Sequence, residues 1–225
     1  MQGKLYLVSI PIGNYDDLSF RAVKILESVD FIICEEFKEA VRFLNNFKIK
    51  KELFELNEHN ENEASEELFK KISDGKSAAL ISDCGTPVFS DPGLSLVQKC
   101  INENVPVIPV PGANSILPAL ISSGLNIDKF YYFGWLSPKK EIRRKQLFDL
   151  KKIKEVIVIL DTPYRIKALL KDISMIFGKS IKVALAYQLT MKDEEFFRGT
   201  IESVRQIAEK KNLKGEFVLI INNRS

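Results

Sequence analysis

Ser82-Asp83-Cys84-Gly85-Thr86-Pro87-Val88-Phe89-Ser90-Asp91-Pro92-Gly93 is the stretch whose reading decides the fold. The apolar run 78–81 in front of it reads as a strand, and residues 93–102 behind it read as an amphipathic helix. Between them stand Gly85, Pro87, Pro92 and Gly93. Glycine permits positive φ and the close approach of a ligand, while proline stiffens the chain beside it. A strand that feeds through such a loop into a helix is one step of an α/β sheet. Ligands of these sheets gather at the loops beyond the carboxyl ends of the strands.

The same rhythm extends both ways along the chain. Residues 5–10, 31–34, 52–56 and 107–110 read as further strands, and 18–28, 36–47 and 63–73 as the helices between them. This predicts a mainly parallel sheet wrapped on both faces. Two more loops carry the same punctuation, Pro11-Ile12-Gly13-Asn14 and Pro111-Gly112-Ala113-Asn114-Ser115. Each alone could be a tight turn; three on one edge of one sheet can converge on one ligand.

The rhythm changes around residues 126–129, so the expected domains are 1–125 and 126–225. In the second, strands are predicted at 130–133, 156–160, 183–187, 196–199 and 217–221, with helices at 139–150, 164–177 and 201–210. No helix separates the third and fourth of these strands, which predicts an antiparallel pair and a mixed sheet. There is no internal repeat.

Composition narrows the function classes. The 225 residues suffice for two modest domains with real cores, and 45% hydrophobic with 28% charged residues is the balance of an ordinary soluble protein. The N-terminal apolar run is too short for a signal sequence or a membrane span, which predicts a cytoplasmic protein without a membrane partner. Cys34, Cys84 and Cys100 are odd in number and lack metal-type spacing; they are expected to be buried, reduced thiols, with no metal and no disulfides. The single Gly13 after the first strand falls short of a dinucleotide fingerprint, and no Walker-type glycine-lysine motif or Gly-x-Ser-x-Gly elbow is present. His59, in a polar setting, reads as a surface residue.

The formal charge of +3 is small, but Lys139, Lys140, Arg143, Arg144 and Lys145 are clustered, with Lys151, Lys152 and Lys154 close behind. Such a run is either a solvated helix face or a phosphate-contacting patch.

Two segments, Tyr6-Leu7-Val8-Ser9-Ile10-Pro11-Ile12-Gly13-Asn14 and the stretch from Leu80 to Gly93, closely resemble signature loops of the tetrapyrrole methylase superfamily. Within it they look like the ribosomal RNA small subunit methyltransferase I group. Val110-Pro111-Gly112-Ala113, Tyr132-Phe133-Gly134-Trp135-Leu136, Thr162-Pro163-Tyr164-Arg165 and Lys214-Gly215-Glu216 follow in the order that group shows. The resemblance implies two α/β domains with S-adenosyl-L-methionine folded into the cleft between them, and a homodimer. It also implies transfer of a methyl group to the ribose 2′-hydroxyl of a cytidine in small-subunit (16S) ribosomal RNA.

Carried over position by position, the resemblance places cofactor contacts at Pro11, at Cys84, Gly85, Thr86 and Phe89, and at Asn114 and Ser115, with Leu160 and Leu189 flanking the adenine. A weakly nucleophilic ribose hydroxyl benefits from a base, and Asp83 and Glu35, each just beyond a strand end, are the candidates. Asp83 could equally cap a turn, and Glu35 could equally open a helix.

The chain departs from the group in three places. Glu35-Glu36-Phe37-Lys38 replaces Glu-Asp-Thr-Arg, Asp161-Thr162-Pro163-Tyr164-Arg165 replaces Glu-Ser-Pro-His-Arg, and Gln188-Leu189-Thr190-Met191 replaces Glu-Leu-Thr-Lys. Lysine cannot reproduce the planar fork of arginine. The chain also ends soon after residue 222, where many members continue into a further helical segment. These departures keep two other readings open: a methyltransferase of this fold acting on a tetrapyrrole, another small molecule or a protein, and a non-catalytic S-adenosylmethionine-binding module.

Overall fold

A computed structural model describes residues 3–224. Its contacts divide it into two units, Met1–Asn114 and Ser115–Ser225.

In the first unit β1 (Leu5–Val8), β2 (Phe31–Cys34), β3 (Glu52–Glu55), β4 (Ala78–Leu80) and β5 (Val107–Val110) form one sheet in the order β3-β2-β4-β1-β5. Every pairing is parallel. The inner strand β2, Phe31-Ile32-Ile33-Cys34, is buried throughout, as a strand covered on both faces must be. Helices α1 (Phe20–Ser28) and α2 (Phe37–Asn46) pack Ala22, Leu26, Ala40, Phe43 and Leu44 against one face. Helices α3 (Glu61–Ser73) and α4 (Leu94–Asn102) pack Leu68, Ile72, Leu96 and Cys100 against the other. The start of α1 is fixed by Ser19, whose Oγ accepts from the Ala22 N–H at 3.1 Å.

The second unit begins with α5 (Ile116–Ile121), a short helix that the sequence reading left unassigned. Six residues containing Pro118 carry too little periodicity to announce a helix. It packs on the second sheet, which is why the contact boundary falls after Asn114 and not after residue 125. That sheet contains β6 (Phe130–Trp135), β7 (Val156–Leu160), β8 (Lys182–Tyr187), β9 (Glu195–Thr200) and β10 (Phe217–Asn222) in the order β6-β7-β10-β8-β9. Only β6 and β7 run parallel; the others are antiparallel, giving the mixed sheet expected. Helices α6 (Lys140–Leu150), α7 (Ile166–Phe177) and α8 (Ile201–Lys210) cover one face through Leu147, Leu150, Leu169, Ile173, Val204 and Ala208.

Helix α6 corrects the reading of the basic run. The Arg143 side chain is only 6% exposed, and it meets the Asp172 carboxylate of α7, itself 4% exposed. Its Nε donates to Oδ2 at 3.1 Å and its second terminal nitrogen donates to the same oxygen at 2.9 Å. Arg144 donates from Nε to Asp172 Oδ1 at 2.9 Å. Arg143 therefore pins α6 to α7 and is withdrawn from any phosphate-contacting surface. It points inward because it shares the helix face of Leu147 and Leu150, which line the core. Lys139, Lys140 and Lys145 remain exposed, and Arg144 is half-buried.

Among the described residues no helix is long and apolar enough to cross a membrane. Breaking a buried ion pair from one side leaves an uncompensated charge. Asp172→Ala should cost about 3 kcal/mol of stability in urea unfolding, whereas Lys140→Ala should change it by less than about 0.5 kcal/mol.

Candidate functional site

Strands β1 and β4 lie side by side, but their connections diverge. From β1 the chain crosses through α1 to β2; from β4 it crosses through α4, on the opposite face, to β5. The carboxyl ends of β1 and β4 thus form a topological switch point, where a parallel sheet leaves a crevice for a ligand. The loops that begin there are the two whose sequences resemble the family signatures, and the loop after β5, beside β1, is the third.

These loops are knitted together. Ile10 N donates to Gly85 O at 2.8 Å and Gly85 N returns a bond to Ile10 O at 3.1 Å, joining the first two loops as a single antiparallel bridge. The hydroxyls of Ser9 and Thr86 are 3.0 Å apart, and Thr86 donates to Ala113 O at 3.3 Å, bringing in the third. Close approach requires glycine twice. At Gly85 (φ +76°) a Cβ would stand 3.2 Å from Ile12 Cγ2; at Gly112 it would stand 3.0 Å from Ser9 Cβ and 3.1 Å from Ser9 O. Pro11 is buried and brings no N–H that would need a partner.

The outer half of the loop after β4 is held in an uncommon shape. Val88 (φ 66°) and Ser90 (φ 73°) both lie in the left-handed region, which a β-branched valine ordinarily avoids. Glu61 anchors the loop's end, its Oε1 accepting from Gly93 N at 3.0 Å and Ser95 N at 3.1 Å. Strain of this kind persists only where surrounding contacts over-determine the conformation, and it concentrates at ligand clamps. Phe89, between the two strained residues, is 45% exposed.

Negative charge collects on the same edge. Glu35 and Asp91 line one narrow crevice with Leu56, Leu80, Ile81, Ser82, Pro87 and Pro92. Asp83 reaches back to α2, its Oδ1 accepting from Glu36 N at 3.3 Å. Burial raises the Asp91 carboxyl to about 6, helped by the Asp83 charge. Burial also raises Glu35, with Asp83, Asp91, Glu58 and Glu36 adding to it. Asp83 is raised by burial and by Glu36 and Glu39, against the lowering effect of the Glu36 N–H bond. Among the described residues no group of three His, Cys, Asp or Glu side chains is arranged to hold a metal ion.

The sequence reading picked out Pro11, Gly85, Thr86, Asp83 and Glu35, and the fold brings these to one edge of the first sheet. It passed over Ser9 and Asp91, both inside quoted segments. Only the fold-back of the loop onto the end of β2 reveals that Asp91 shares a crevice with Glu35. Asn114 closes the first unit, and Ser115 opens the second as the residue before α5, with no side-chain cap bond. Leu160 ends β7, in register with Trp135 and Val218, and Leu189 is buried between Gln188 (φ 48°) and Thr190 (φ 65°). Cys34 and Cys100 are buried, their thiols pushed up to about 12 and about 11 by burial first of all. Cys84 is exposed, contrary to expectation: it stands in the loop after β4, beyond the buried strand. His59 is at the surface, as expected.

Two stability measurements probe this edge. Gly112→Ala should cost about 1–3 kcal/mol in thermal unfolding, because the added methyl must displace Ser9. Asp91 has a folded-state value above the ordinary 3.8, so the wild type should lose stability relative to Asp91→Asn as pH rises from about 4 to about 6, with no further divergence above. The loss, after allowing for solvent at the carboxylate, should be on the order of 1 kcal/mol by urea unfolding; parallel curves for the two proteins across that range would overturn the upward shift assigned to this carboxyl.

Residues 4–205 match the model of the tetrapyrrole (corrin/porphyrin) methylases. The ribosomal RNA small subunit methyltransferase I of Halalkalibacterium halodurans is 40% identical over 220 residues, covering 98% of this chain and 76% of its own. That of Thermotoga maritima is 38% identical over 222 residues, covering 99% of each. Among solved structures, a diphthine synthase superposes with a TM-score of 0.73 at 15% identity over 97% of this chain and 89% of its own. The uroporphyrin-III C-methyltransferase of Thermus thermophilus superposes at 0.64 and 18%, over 99% and 96%. The structural likenesses speak for the fold, the sequence likenesses for the group: the chain belongs to the tetrapyrrole (corrin/porphyrin) methylases and, among them, to the ribosomal RNA small subunit methyltransferase I family.

Proposed function

We propose that this protein is a cytoplasmic, S-adenosyl-L-methionine-dependent methyltransferase that modifies the ribose 2′-hydroxyl of a cytidine in small-subunit (16S) ribosomal RNA. The observation that carries this reading is the near-full-length identity of 38–40% to enzymes named for small-subunit ribosomal RNA.

The residues at the switch point fit the cofactor. Backbone groups around Pro11, Cys84, Gly85, Thr86 and Phe89, with the apolar walls of Ile10 and Pro11, suit an adenosyl group that has no phosphate to cradle. The carboxylates of Glu35, Asp83 and Asp91 give the edge a negative field, which suits a ligand carrying a sulfonium and an ammonium. Asn114 and Ser115, with Leu160 and Leu189 in the second unit, are the further cofactor contacts that the family resemblance implies. S-adenosyl-L-methionine, when bound, supplies a methyl group already activated on sulfur. The protein's own work is then to orient the acceptor, keep water away and take a proton.

Asp83 and Glu35 are assigned to the proton. A carboxylate raised above its ordinary range is a stronger acceptor, and both are raised by burial and neighbouring charge. Asp83 is further steadied by the Glu36 N–H on Oδ1. Lys139, Lys140 and Lys145 hold phosphates, with Arg144 contributing only what its bond to Asp172 leaves free. The homodimer is part of the same reading, supported by the exposed apolar side chains Leu117 and Ile121 on α5.

Small-subunit particles from cells lacking this chain should take up labelled methyl from S-adenosyl-L-methionine at a single cytidine ribose. Absence of uptake by any ribosomal particle or RNA, with cofactor binding intact, would sink the reading. Asp83→Asn should lower kcat by about 10²–10⁴ with little change in KM, and the wild-type rate should fall as acid protonates these carboxylates. Replacing Lys139, Lys140 and Lys145 together by alanine should reduce the salt slope of RNA binding by about 2 and raise KM for RNA, leaving cofactor affinity unchanged.

A further inference from the structure

The carboxyl ends of the parallel neighbours β6 and β7, within the second unit, carry an arrangement that neither the core nor the cofactor contacts require. Trp135 ends β6 and is 47% exposed, and it stands in register with Leu160 at the end of β7. The turn after β7 presents Tyr164 with 80% of its surface in solvent. This turn is fixed from below. Arg165 is paired to the fully buried Asp161 through Oδ1, which also accepts from Thr162 N at 2.7 Å, and the Arg165 guanidinium lies 5.8 Å from the Tyr164 ring centre. Asp161 Oδ2, in the same turn, is buried and has no hydrogen-bond partner among the described residues.

The segment that leaves Trp135 is equally fixed. Ser137 N donates to Gln146 Oε1 at 2.9 Å, Lys139 N donates to Ser137 Oγ at 3.2 Å, and Arg143 reaches Pro138 O at 3.4 Å. That segment ends in the exposed Lys139 and Lys140 at the start of α6. The exposed ring of Trp135 is thus followed by two exposed cations, and a second exposed ring, Tyr164, stands on the fixed turn after the neighbouring strand. Exposing a large aromatic ring forfeits its burial, so rings held out in this way mark a contact surface. Aromatic faces that stack unpaired bases, with cations on the backbone, are the means by which proteins grip single-stranded RNA.

We infer that the β6–β7 edge, through Trp135, Tyr164, Lys139 and Lys140, is a stacking platform for single-stranded bases of the RNA acceptor. The charge of the two lysines argues for RNA over an apolar protein partner. This inference rests on the ribosomal RNA reading above, which is scored by methyl uptake; the platform is scored by binding alone.

Trp135 is the only tryptophan in the chain and reports on its own surroundings. With S-adenosylhomocysteine saturating, a single-stranded oligoribonucleotide should quench its fluorescence, and a duplex of the same sequence should quench it far less. By fluorescence anisotropy of labelled oligoribonucleotide, Trp135→Ala and Tyr164→Ala should each weaken binding by about 5- to 150-fold. Trp135→Phe and Tyr164→Phe should restore most of the affinity, and cofactor affinity should be unchanged throughout. Thermal unfolding of each variant separates a lost contact from a lost fold. The platform is overturned if RNA leaves the Trp135 signal unaltered, if the alanine variants bind RNA as tightly as wild type, or if S-adenosylhomocysteine alone produces the whole quench, which would give Trp135 to the adenine instead. Failure of methyl uptake with intact stacking would leave the platform standing and remove only the proposed acceptor reaction.

Discussion

The backbone bridge between Ile10 and Gly85 holds the first unit's edge in its shape. Parallel strands have no hydrogen-bonded continuation past their carboxyl ends, so the loops that leave β1 and β4 would otherwise present unpaired amides and carbonyls to water. Two reciprocal bonds at 2.8 and 3.1 Å couple those loops, and the hydroxyls of Ser9 and Thr86 extend the coupling to Ala113. The glycines at 85 and 112 go with that coupling: Gly85 takes a positive φ with Ile12 close by, and at Gly112 a Cβ would crowd both the side chain and the carbonyl of Ser9. The left-handed Val88 and Ser90 are a second consequence: a loop tied down at Gly85 and again at Gly93 has few ways to close the interval.

The acidic groups follow from the same closure. Folding the loop back onto the end of β2 puts Asp91 and Glu35 in one crevice, where neither carboxylate is well solvated and each feels the Asp83 charge. An edge of this kind is poorly suited to an anion and well suited to a cationic ligand. It is the reverse of the glycine-rich phosphate cradle found at the same topological position in dinucleotide-binding sheets.

Most of the architecture was legible in the sequence because long apolar runs and glycine-proline loops are local signals. The five parallel strands of the first unit and the antiparallel β8–β9 pair of the second follow from periodicity and spacing. Helix α5 was not legible: six residues with an internal proline owe their helicity to the sheet they pack on. The basic run misled at Arg143 for a related reason. A guanidinium reads as surface unless its partner is known, and Asp172 lies 29 positions further along, on another helix. Glu35 and Asp83 could be placed near strand ends, but their proximity to Asp91, and hence the shared shift in their acidity, depends on a loop path that spacing does not encode.

The pairing of Arg143 and Arg144 with Asp172 leaves the exposed charge of the run to lysines. An ammonium is a strongly hydrated point charge on a flexible stem, without the planar fork that fixes the direction of a phosphate. A helix armed in this way attracts a polyanion from a distance and tolerates its backbone in many orientations. Under the proposed function, attraction and alignment are therefore separate duties, and the rigid groups held at strand ends, not the cations, decide which nucleotide comes to rest.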